Sequence, residues 1–150
     1  MSLVASLSKA QIFSDLAPAE LAKIAALGHE RSFGKGDTIL SEGDRTRELF
    51  IIGRGMVEVS LATAETSTPL VNLGTGQIFG EMSLVDRGAR SATVKAVSDD
   101  TLLQVIPHEA LLELCQQDNH IGFIVMRNLA AEMSLRLRYH NIARSMNASE

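Results

Sequence analysis

Between Phe79 and Ala96 the chain reads FGEMSLVDRGARSATVKA, which sets one carboxylate, Glu81, and one guanidinium, Arg90, on a segment held between two apolar, strand-like runs. A planar guanidinium grips two oxygens of a phosphate at once, whereas an ionised carboxylate only accepts hydrogen bonds and so captures a sugar hydroxyl. A sugar phosphate would satisfy both groups together. Gly80 lets backbone come close to such a ligand, and a short helical turn over Glu81 to Leu84 would aim its N–H groups at the anion. Arg87, in the same segment, reads as solvated.

Gly80-Glu81-Met82-Ser83-Leu84, five further residues and then Arg90-Ser91-Ala92-Thr93 resemble the phosphate-binding cassette of cyclic-nucleotide-binding domains. These occur in kinase regulatory subunits, in cyclic-nucleotide-gated channels and in catabolite-activator-type bacterial regulators. The resemblance implies cyclic AMP or cyclic GMP as ligand, with no further cofactor. It also implies that Glu81 takes the ribose 2′-hydroxyl, that Arg90 neutralises the cyclic phosphate, and that Ser91 and the Ala92 N–H hold phosphate oxygens. A hydroxyl at Ser91 gives guanine an added partner without excluding adenine. Family members draw base contacts from the final helix, which points to His140 and Asn141 here. Leu73, Met82 and Val85 serve either as apolar walls of the pocket or as core. Where many members carry proline before the arginine this chain has Ala89, and losing that φ restraint should loosen the loop without removing a ligand contact.

A chain of 150 residues with 45% apolar content makes one domain with one core. Aromatic residues reach only 4% and tryptophan is absent, which argues against stacking on single-stranded nucleic acid. With a formal charge of −4 there is no general attraction for polyanions, so an anionic ligand needs a local cation such as Arg90. The single cysteine, Cys115, permits no intrachain disulfide. No signal peptide and no membrane-spanning run is seen, and a reducing, cytoplasmic setting is expected. The four histidines show no pair at three- or four-residue spacing, and no nucleophile elbow exists, so neither a zinc site nor an enzyme is expected.

Three regions follow one another within a single domain: a helical lead-in over 1–28, a strand-rich centre over 29–106 carrying the loop 79–93, and helices over 107–145. Pro18, Glu20, Leu21 and Ile24 mark a short amphipathic helix that Gly28 can close. In the centre, Gly34-Lys35-Gly36-Asp37, Glu42-Gly43-Asp44, Gly53-Arg54-Gly55, Gly74-Thr75-Gly76 and Ser98-Asp99-Asp100 mark turns between short apolar runs. The expected fold is mainly β with flanking helices, an antiparallel β-roll or jelly roll, for which the resemblance implies eight strands. Ala62 to Thr68 reads as an exposed hairpin loop. The glycines from Gly74 to Gly80 do not fit a dinucleotide fingerprint, because the third falls one position late and no βαβ pattern surrounds them.

The final helix carries two apolar stripes. Phe123, Met126, Ala130, Met133 and Leu137 follow heptad spacing, while Ile121, Ile124, Val125, Leu129 and Leu135 lie partly to one side. Either one stripe packs on the β-roll and the other pairs with a second copy of the chain, or both serve one wide intramolecular face. Arg127, Arg136, Arg138 and Arg144 read as a solvated face. No segment for direct DNA reading is expected. Two rivals to a nucleotide sensor remain: an oligomerisation module with a degenerate pocket, and a pocket for another small anion.

Overall fold

The run Leu49 to Ile52 lacks polar alternation because its strand is covered on both sides. In the computed structural model this strand, β3 (Glu48–Arg54), sends Leu49 and Ile51 into a core shared with the helices, and Phe50 and Ile52 into a second core inside the roll. The structure describes the backbone of residues 7–62, 67–86, 90 and 92–148, and the side chains of these apart from 61, 62, 67–70, 86 and 139–148.

Two four-stranded antiparallel sheets face one another. One has the order β1 (His29–Phe33), β8 (Thr101–Pro107), β3, β6 (Ile78–Phe79), and the other the order β2 (Thr38–Leu40), β7 (Thr93–Ala96), β4 (Val57–Ala62), β5 (Ser67–Leu73). Leu40, Phe50, Val57, Phe79, Val94, Leu103 and Val105 fill the space between them. This is the double-sheet arrangement expected from the turn spacing, and its β strands number eight among the described residues. Two were not legible as apolar runs. β1 is exposed at four of its five positions, and β6 is two residues long. The expected hairpin loop overlaps both strands, Ala62 closing β4 and Ser67 opening β5, while residues 63–66 lie outside the described residues.

The helical layer packs on the outer face of the β1/β8/β3/β6 sheet. A 3-10 turn at Gln11–Phe13 leads into α1 (Pro18–Ala25), where the Glu20 carboxylate accepts the Ala17 N–H at 2.9 Å and Leu21 and Ile24 are buried. Gly28 serves a different purpose from closing that helix in a left-handed turn: a Cβ there would lie 2.9 Å from the Val105 carbonyl, so the residue permits close approach to β8. A short α2 (Met82–Asp86) interrupts the roll after β6. Then α3 (His108–Gln117) and α4 (Asn119–Ala148) follow β8 directly, with Asp118 as the break between them.

Neither stripe on α4 behaves as a unit: Ile121, Ile124, Val125 and Leu129 are buried within the chain and Met126 and Met133 pack against the same core, whereas Phe123 is 64%, Leu137 61% and Leu135 56% exposed, which corrects the placing of Leu135. Asn128 fixes the helix to the lead-in by donating to the carbonyls of Ile12 at 3.0 Å and Ser14 at 2.8 Å. Replacing it with leucine leaves two shielded carbonyls without donors, and Asn128→Leu should lower stability by about 2 kcal/mol, read from urea unfolding midpoints. Among the described residues no helix is long and apolar enough to cross a membrane.

Candidate functional site

Phe79 stacks on Phe50 with ring centroids 4.8 Å apart, which pins the end of β6 against β3. The next residue, Gly80, has φ of 83°, and a Cβ on it would lie 2.6 Å from the Glu48 carbonyl oxygen and 3.0 Å from Arg90 Nη1. Glycine alone fits there. The turn swings the chain into α2, so that Glu81 and Ser83 point inward and are buried while Met82 stays half exposed.

Arg90 enters the same corner from the other side. Its N–H donates to the Asp44 carbonyl at 2.6 Å and its own carbonyl accepts the Gly43 N–H at 2.9 Å. The residue is 5% exposed, and its guanidinium donates from Nε to Thr46 Oγ1 at 3.3 Å, from Nη1 to Ser83 Oγ at 2.8 Å and the Gly80 carbonyl at 3.1 Å, and from Nη2 to the Glu48 carbonyl at 2.8 Å. Burial pulls its proton affinity below the ordinary arginine value while the Glu48 and Glu81 carboxylates oppose that pull. An arginine keeps its charge under such conditions, so the corner holds a fixed cation.

Glu81 and Arg90 line one cavity of about 620 Å³. That is within the range of small-molecule sites. Gly80, Met82, Ser83, Leu73 and Ala92 share its wall, and Val59, Val71 and Val94 add an apolar face from the second sheet. Leu84 is a correction. Its side chain is 1% exposed in the helical core and its N–H donates to the Glu81 carbonyl at 3.1 Å, because the α2 turn points it away from the cavity. Val85 likewise lies outside the cavity and is 58% exposed. Ser91 and the Arg87 to Ala89 stretch are outside the described residues. His140 and Asn141 belong to α4, but their side chains are outside the described set.

The sequence reading missed the contribution of α4. Arg136, taken for a solvated residue, donates from Nη1 to Glu81 Oε1 and from Nη2 to Glu132 Oε1 at 2.7 Å, and both Arg136 and Glu132 line the cavity. Burial would pull the Arg136 guanidinium down, but the Glu81 and Glu132 carboxylates outweigh it and raise its proton affinity. Burial pushes the Glu132 carboxyl up, Arg136 countering and Glu81 adding to the shift. The one available clue was the glutamate four residues before an arginine on a helix, a spacing that lets the two meet.

His108, fully buried at the start of α3, was also missed. Its Nε2 is 2.9 Å from the Gly80 carbonyl oxygen, and since a carbonyl only accepts, the ring carries its proton on Nε2. Burial brings its pKa from 6.5 down to about 4, with the Gly80 hydrogen bond opposing and the Arg90 and Arg47 cations assisting. The unfolded chain therefore takes up this proton first as pH falls. Stability from this group is complete above pH 6.5 and declines toward pH 4, by up to about 3 kcal/mol. Urea unfolding of the unaltered chain and of His108→Gln across that window should show the slope from this group only in the former.

Residues 30–118 match the family model of the cyclic nucleotide-binding domain. The cyclic AMP receptor protein of Thermus thermophilus is 34% identical over 130 residues, which cover 85% of this chain and 57% of that relative. The crystal structure of the Thermus thermophilus catabolite activator protein has a TM-score of 0.82 at 31% identity, covering 93% of this chain and 63% of the other. A cyclic nucleotide-binding domain from Methylobacillus flagellatus has a TM-score of 0.81 at 26% identity, covering 95% and 82%. The chain thus spans a little over half of its Thermus relative. With the roll, the Gly80 turn and the buried acid and cation in place, this chain belongs to the cyclic nucleotide-binding domain family.

Proposed function

We propose that the cavity binds cyclic AMP or cyclic GMP and that the domain acts as a regulatory sensor rather than a catalyst. The observation that carries this reading is the pair of charges, Glu81 at 3% and Arg90 at 5% exposure, on the wall of one cavity. Arg136 already pairs Glu81 and four acceptors already hold Arg90, and an acid beside a cation on one cavity wall suits the hydroxyl and the anion of a sugar phosphate. Glu81 takes the ribose hydroxyl, Arg90 the cyclic phosphate with Gly80, Met82, Ser83, Ser91 and Ala92 around it, and Leu73 packs on the ligand. His140 and Asn141 are the proposed base contacts. A degenerate pocket is disfavoured by the same two residues, both of which remain on the cavity wall.

The link to output runs through Arg136. A ribose arriving at Glu81 meets the arginine of α4 already there, so occupancy changes what holds that helix. The resulting re-packing is bounded by the ligand's difference in affinity for the two arrangements. A second copy would cover the exposed Phe123, Leu135 and Leu137 of α4. Sedimentation equilibrium at tens of micromolar should show dimers, and a monomer with and without ligand removes that part. Calorimetric titration with cyclic AMP and with cyclic GMP should give one saturable site per chain. If neither saturates below about 1 mM, the nucleotide reading fails.

A further inference from the structure

Arginine offers five N–H donors in a fixed fork. Four of those on Arg90 are engaged, by Thr46 Oγ1, Ser83 Oγ, the Gly80 carbonyl and the Glu48 carbonyl. A bidentate grip on a phosphate needs two, so Arg90 must release at least one acceptor as a ligand arrives. Hydroxyls rotate to find other partners, but a shielded backbone carbonyl left without a donor bears the full desolvation penalty. Gly80 is the exception, because its carbonyl has a second close donor in His108 Nε2, at 2.9 Å against 3.1 Å for Arg90 Nη1, the Ser83 hydroxyl lying farther off at 3.5 Å.

We propose that His108 is a positioning residue of the ligand site: by holding the Gly80 carbonyl it lets Arg90 Nη1 turn to the phosphate while that carbonyl keeps a close donor. The inference rests on the nucleotide reading above. His108 is suited to the task because its place is over-determined. Its N–H donates to the Arg47 carbonyl at 3.0 Å, and its ring is fully buried. Among the described residues Nδ1 has no hydrogen-bond partner and is better left as a lone pair, which agrees with the proton on Nε2. The charged neighbours are Arg90, Arg47 and Glu109, and the two cations favour a neutral ring. The bond also ties the start of α3 to the loop that meets the ligand.

The test compares His108→Gln, which keeps an N–H donor, with His108→Met, of similar length and without one. Both are titrated with cyclic AMP and cyclic GMP under conditions where thermal unfolding shows them folded. His108→Gln should bind close to the unaltered chain, and His108→Met on the order of ten-fold more weakly. In an Arg90→Lys background, where the fork is gone, the methionine change should cost little, an interaction that mere structural damage does not produce. Equal losses for the two substitutions, or the same loss in the lysine background, overturn the proposal. A long-range ¹H–¹⁵N correlation spectrum of the unaltered chain should show the His108 proton on Nε2, and a proton on Nδ1 overturns it whether or not the methionine variant folds. If the unaltered chain binds neither nucleotide, the nucleotide reading itself falls and this inference with it. If it binds and His108→Met binds equally well, only the role of His108 is lost.

Discussion

Arg90→Ala should reduce affinity for the cyclic nucleotide by about 3–4 kcal/mol, several hundred-fold, in calorimetric titration. The magnitude follows from burial. Arg90 is 5% exposed, so a phosphate bound there would meet it away from bulk water, and removing the guanidinium would leave that anion desolvated and unpaired. The same change takes a donor from the Glu48 carbonyl and one of three from the Gly80 carbonyl, so the melting temperature should fall as well. Arg90→Lys separates the two effects. A lysine keeps the charge but not the planar fork, and its affinity should fall between the unaltered chain and the alanine variant. Unchanged binding in Arg90→Ala would refute the assigned role.

Gly80→Ala should destabilise the fold by about 3–4 kcal/mol, combining a left-handed backbone that an alanine resists with overpacking against fixed neighbours. The close neighbour, at 2.6 Å, is the carbonyl of Glu48 on a central strand, which has nowhere to go. Arg90 Nη1 at 3.0 Å would also be pushed from its place, so ligand affinity should fall together with the unfolding midpoint. A Gly80→Ala variant with the midpoint of the unaltered chain would show that the loop tolerates other backbone shapes.

Glu81 and Arg90 were legible because the pocket's charged pair sits within one short segment, where residue type and spacing determine the chemistry. The β-roll was legible for a related reason: glycine and aspartate at regular intervals break short apolar runs. What escaped depends on distance along the chain or on direction in space. Arg136 meets Glu81 from a helix 55 residues away, and helical periodicity says only which face it shares. His108 has no partner nearby in sequence, its acceptor being the carbonyl of Gly80 across the fold. Leu84 fell inside the matching motif, yet a motif does not tell which way a short helix turns its side chains. β1 escaped because its side chains are mostly exposed, so its place comes from pairing with β8 and not from an apolar pattern.

One strand, β3, separates the two cores, with Leu49 and Ile51 on one side and Phe50 and Ile52 on the other. Loss of the helical cover would wet one flank of the same ribbon whose opposite flank carries the ring that Phe79 rests on. The two layers should therefore melt together, and any binding in the proposed pocket should vanish in the same single cooperative step as the helices, with no stage at which a bare barrel still binds.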